Sequence, residues 1–83
     1  MNLFELLNVL SPNLKLVIEY DNDEVFISGY TAQYVKDQAK FFETLGDDTY
    51  KRLQVLKVDY LEEALYVYCI SIPYLHKLNN TIF

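Results

Sequence analysis

The run from Ala64 to Ile72 constrains this chain more than any other segment. It is built from β-formers and is apolar on both faces, so it belongs in the interior of a sheet, not on a half-solvated strand. Pro73 ends it, because proline has no N–H to give to a ladder. Just upstream, Leu53 to Tyr60 is a second β-rich run, separated from the first by Leu61-Glu62-Glu63. The two predict an antiparallel hairpin. Nearer the N-terminus, Leu14, Leu16, Ile18 and Tyr20 alternate with Lys15, Val17 and Glu19, the period of a half-buried strand. Asp21-Asn22-Asp23 supplies turn residues and Val25 to Ser28 supplies β-formers, which predicts another hairpin closing near Gly29.

Helices are expected at two places. Asn2 is an N-cap for an amphipathic segment carrying Leu3, Phe4, Leu6, Leu7 and Leu10, and Ser11-Pro12-Asn13 breaks it. Thr31 offers a capping hydroxyl for Ala32 to about Thr44, where Ala32, Val35, Ala39, Phe42 and Leu45 recur at steps of three or four and Gly46 is the stop. Asp47-Asp48-Thr49 either caps one further turn holding Tyr50, Lys51 and Arg52 or belongs to a loop. The order α-β-β-α-β-β specifies an α+β fold, a four-stranded, mainly antiparallel sheet packed with two helices. At 83 residues there is room for a single small domain, residues 1–83, with 74–83 expected as a C-terminal tail that packs loosely or extends to a partner.

Composition narrows the function classes. Seven basic and twelve acidic side chains leave a net charge of −5. Nucleic-acid binders depend on clustered cations and counterion release, so direct DNA or RNA binding is not expected. The same charge favours a basic partner, including the nucleic-acid channel of another protein, although many acidic domains are merely soluble. A single cysteine, Cys69, rules out an internal disulfide and fits a reducing cytoplasm. Met1 to Leu10 carries Glu5 and no basic residue, the wrong charge for a secretory or transit signal. The longest apolar stretch, Ala64 to Ile70, is far below the ~20 residues of a membrane-spanning helix, so no membrane association is expected.

Little in the sequence carries catalytic chemistry. Asp21-Asn22-Asp23 opens like a calcium loop, but Phe26 and Ala32 occupy the positions that need glycine and a bidentate glutamate. Cys69 and His76 lack further nitrogen or sulfur ligands for a structural zinc site; Cys69 reads as core filler and His76 as a surface imidazole. With Gly29 and Gly46 as the only glycines, neither a phosphate loop nor a dinucleotide motif can be built. No cofactor, no metal and no catalytic residue is therefore expected.

Two groups of residues are candidates for binding instead. Asp21, Asp23, Glu24, Asp47, Asp48, Glu62 and Glu63 fall at expected turns and element ends. They are either ordinary turn and cap residues or charges gathered along one edge in imitation of a phosphate backbone. The eight tyrosines exceed what a small core can hide with every hydroxyl satisfied. Tyr66 and Tyr68 share a strand face by period two, with Tyr60 expected near them across the second hairpin. They form either an interface or the cover of a sheet face beneath a helix.

The segment Lys15-Leu16-Val17-Ile18-Glu19-Tyr20 followed by Phe26-Ile27-Ser28-Gly29-Tyr30-Thr31-Ala32 resembles small proteins encoded by phages and mobile elements of low-GC Gram-positive bacteria. In those, a short helix and a glycine-ended hairpin lead into a helix and a second hairpin. The chain is similar in profile to anti-CRISPR proteins, which are short, acidic, single-domain and mostly non-enzymatic, and often occupy a nucleic-acid site of their target. The resemblance implies an inhibitor acting in the bacterial cytoplasm. Its expected partner is a host effector with a basic nucleic-acid-binding surface, such as a CRISPR-Cas component, met by the acids and anchored by the tyrosines. The alternative is an accessory or structural protein that forms a homodimer through its tyrosine face or a free sheet edge.

Overall fold

The computed structural model describes residues 1–21 and 24–71, Glu24 by its backbone alone. Among the described residues seven elements follow one another: α1 (Leu3–Val9), β1 (Lys15–Tyr20), β2 (Glu24–Thr31), α2 (Ala32–Thr44), α3 (Thr49–Arg52), β3 (Leu53–Leu61) and β4 (Ala64–Ser71). This is the α+β arrangement expected from the sequence, with the undecided segment after Gly46 folding as a third, one-turn helix. The tail expected at 74–83, with His76, lies outside the described residues, as does Asp23.

The helices begin and end where side-chain chemistry allows. Asn2 and Glu5 form a reciprocal capping box: Glu5 N–H donates to Asn2 Oδ1 (2.8 Å) and Asn2 N–H donates to Glu5 Oε1 (2.9 Å). Thr31 Oγ1 accepts from the Tyr34 N–H at the start of α2. At the other end, Gly46 at φ +81° turns the chain left-handed. Its N–H then reaches the Glu43 carbonyl while the Asp47 N–H reaches that of Phe42, the paired closure that satisfies the last carbonyls of a helix.

The strands lie in the order β2-β1-β4-β3. Each hairpin is antiparallel, and the two are joined by parallel pairing of β1 with β4, which sets Leu16 beside Leu65, Ile18 beside Val67 and Tyr20 beside Cys69. Directly paired residues point to the same side of a sheet, so these six share one face. All three helices pack on that face. Leu3 and Leu7 of α1, Ala32, Val35 and Ala39 of α2, and Tyr50 of α3 are buried in one cluster with Leu16, Ile18, Leu53, Val67 and Cys69. Ring contacts continue it along one side, Tyr20 to Phe26 at 5.8 Å, Phe26 to Tyr50 at 5.4 Å and Tyr50 to Phe42 at 6.3 Å between centroids.

The opposite face carries Val17, Glu19, Tyr66, Tyr68, Lys57 and Asp59, placed there by the same registers. Ile70 is buried too, yet stands outside the helix-side cluster. β4 is thus central, as its two-sided apolarity requires, but its second face is not lined by α1, α2 or α3.

Replacing Ile18 by alanine should lower the unfolding free energy by about 2–5 kcal/mol, because the vacated space lies where β1, β4 and the helices meet. Val58→Ala, at an exposed position of β3, should change it by less than about 1 kcal/mol. Urea denaturation of both variants checks the ranking.

Candidate partner-binding surface

The registers decide where the acids go. Lys15 pairs with Ala64 and Tyr20 with Cys69, so the β3–β4 turn lies beside the start of β1 and the β1–β2 turn beside the end of β4. Glu62 and Glu63 therefore stand at one end of the sheet, with Asp21 and the backbone of Glu24 at the other, a six-residue strand or roughly 20 Å away. Asp47 and Asp48 precede α3, which delivers the chain to Leu53 opposite Ser71, so they share the Asp21 end. The acids do not line a single edge.

Those at the Asp21 end serve the fold. Asp21, itself left-handed at φ +46°, accepts from Ser71 N–H at 2.6 Å and Ser71 Oγ at 2.5 Å, tying the first turn to the end of the central strand. Asp47 accepts from Thr49 Oγ1 (2.5 Å) and Thr49 N–H (2.9 Å). Those two bonds, followed by the field of Arg52, hold its carboxyl below the usual aspartate range. Asp48 meets Arg52 at 2.7 Å, and Glu43 meets Lys51 at 3.5 Å nearby, so cations neutralise part of this end.

Glu62 and Glu63 differ. Both are exposed, and both have positive φ, 51° and 65°. A two-residue hairpin loop with both central residues left-handed is the type that Asn-Gly and Asp-Gly favour. Any residue with a long side chain is disfavoured there by about 1 kcal/mol per position. Two glutamates hold this tip at a cost to the fold, flanked by Tyr60 at 62% and Leu61 at 53% exposure.

The tyrosines divide between the faces. Tyr66 and Tyr68 lie half-buried on the face opposite α1, α2 and α3, and Lys57 Nζ caps the Tyr68 ring at 4.8 Å, a cation–π contact. Tyr60 does not join them. It pairs with Leu65 and so projects to the helix side, past the reach of the helices. The expected connection Leu61-Glu62-Glu63 is one residue too long: Leu61 pairs with Ala64, so the turn is Glu62-Glu63 alone and sets Asp59, not Tyr60, opposite Tyr66. Lys57 was not singled out by the sequence; its place two residues before Asp59 in a β-run is the signal that marks both for one face.

Cys69 is buried, and burial, with the Asp21 carboxylate adding to it, pushes its thiol up to about 12. Among the described residues no three His, Cys, Asp or Glu side chains converge as a metal set would. Phe4, Lys40, Glu43 and Thr44 line an open groove between α1 and α2. No helix among the described residues is long and apolar enough to cross a membrane. No protein family, no curated protein and no solved structure matches the chain.

Two outcomes follow from this geometry. The thiol should stay protonated, and unreactive to a thiol-specific reagent at neutral pH, until the chain is unfolded; reactivity should appear in the folded protein only as pH approaches the raised value. Glu62→Asn combined with Glu63→Gly should raise the unfolding free energy by about 1–2 kcal/mol, read from the urea midpoint, by relieving the left-handed positions.

Proposed function

We propose that this chain is a non-enzymatic inhibitor of the phage-encoded, anti-CRISPR kind, acting by docking on the basic nucleic-acid-binding surface of a host effector. The observation that carries this reading is the β3–β4 tip, where Glu62 and Glu63 are presented at left-handed positions that favour other residues. Carboxylates that cap helices or bond Ser71 have a reason to be present in the folded chain alone. These two gain theirs from a partner, and strained, exposed residues are concentrated at functional sites. Tyr60 and Leu61 beside them offer apolar contact of the sort that anchors interfaces, while the net charge of −5 speeds the encounter with a cationic surface. Asp21, Asp47 and Asp48 contribute to the general field from the far end.

The test is capture from a host lysate with the immobilised chain at low and high salt. A nucleic-acid-processing complex should be retained at low salt and weakened, though not abolished, as screening shortens the reach of the charges. Glu62→Lys with Glu63→Lys should lose it by at least about tenfold in apparent affinity, the effect of reversing two charges at a desolvated contact. Asp47→Lys with Asp48→Lys should lose much less. Equal retention by both variants, or no response to salt, would sink the proposal.

A further inference from the structure

We infer that β3 is the pairing edge of a symmetric dimer, in which two copies join their sheets antiparallel about Val58. This does not rest on the basic-partner reading, since it needs neither Glu62 nor Glu63.

Both edge strands of the sheet invite this question, and they are not equivalent. β2 carries two register irregularities, between Leu16/Val17 and Ile18/Glu19 on its partner, with Gly29 at φ +82°; bulges of this kind twist an edge away from further pairing. β3 has a single bulge, near its start, and its outer side there is already occupied. Val55 N–H donates to Met1 O at 2.9 Å and Asn2 bridges Gln54. Beyond Val55 no strand among the described residues pairs with that side, and the stretch is apolar: Leu56, Val58 and Tyr60 are 64%, 45% and 62% exposed. A long open edge with that composition is a template for another strand.

Symmetry then selects the occupant and its register. Two copies of one strand can extend a sheet antiparallel only about a twofold axis perpendicular to it, which keeps both sets of helices on the same side. Matching the pleat makes every residue face one of its own side, so the axis must pass beside a residue and its own copy. An axis at Lys57 sets two lysines together, and an axis at Asp59 sets two aspartates together. An axis at Val58 sets Lys57 against Asp59 of the second copy twice over, on the face opposite α1, α2 and α3, where the two already approach at 3.7 Å within one chain. The same axis meets Val58 with its copy and Leu56 with Tyr60, covering the exposed apolar residues on the other side. Beyond Met1 and Asn2, the stretch of β3 that no described residue pairs on this side is 56 to 61, and the axis at Val58 uses 56 to 60 of it. Charge complementarity and apolar cover converge on a single register, and a second copy satisfies both.

The mass of the full chain in solution, followed by sedimentation equilibrium as concentration rises to about 1 mM, tests it. The expected result is a shift from 9.8 kDa toward twice that value. Lys57→Glu, which sets like charges across the seam, should weaken association at least about tenfold. Adding Asp59→Lys to it should restore the parent behaviour, a rescue that a merely structural role for Lys57 does not produce. Val58→Lys should abolish association, with circular dichroism confirming that each variant folds. A parent that stays at 9.8 kDa throughout overturns the inference, as does a dimer indifferent to Lys57→Glu or not rescued by the second change. A monomer whose 57–61 amides are nonetheless protected from hydrogen exchange also overturns it, by showing that the chain covers its own edge.

Discussion

The parallel contact between β1 and β4 holds this molecule together. Each hairpin alone is a two-stranded ribbon, which is marginal in water. Joining their inner strands makes a four-stranded sheet with one continuous apolar face, Leu16 and Ile18 beside Leu65 and Val67. Only that combined face is wide enough to bury α1, α2 and α3 in one cluster. The contact is also strongly non-local, since the two partners are separated by β2, α2, α3 and β3. Its formation carries the loop-closure entropy of bringing together strands far apart in the chain. Asp21, bonded to Ser71 across that junction, secures the end where the two strands part.

That junction governs the distribution of charge. Because β1 and β4 run in the same direction, the two hairpin turns face opposite ways, and acids that look alike in sequence end up a strand's length apart. At one end they are absorbed into hydrogen bonds with Thr49 and Ser71 and an ion pair with Arg52. At the other, Glu62 and Glu63 occupy a turn whose backbone they fit poorly. The difference between a solvated acid and a candidate contact lies in this local backbone geometry and not in the count of carboxylates.

Much of the local structure was legible beforehand, for definite reasons. The cap at Asn2, the stop at Gly46 and the steps of three and four in α2 depend on groups within a few residues of each other, so sequence spacing conveys them directly. The two-sided apolarity of Ala64 to Ile70 placed β4 inside the sheet before its neighbours were known. The single turn of α3 remained open because four residues are too few to show a period. The side that Tyr60 takes depends on a single residue of loop length: with Leu61 paired to Ala64 the turn has two residues and not three, and Tyr60 falls on the face opposite to Tyr66 and Tyr68.

By itself, then, the sequence determined every element but α3, their order, the α+β class and a core drawn from the apolar face of each element, since these follow from periodicity and capping over short spans. Only the tertiary structure decided that β1 and β4 are parallel neighbours, which face Tyr60 takes, that the acids divide between two ends, and that among the described strands β3 stands at an edge with Lys57 and Asp59 on one face. The physical reason is the same in each case. Strand registry is settled by contacts between residues some fifty positions apart, such as Val17 and Tyr66, and no local pattern encodes which of several compatible apolar strands will be the neighbour.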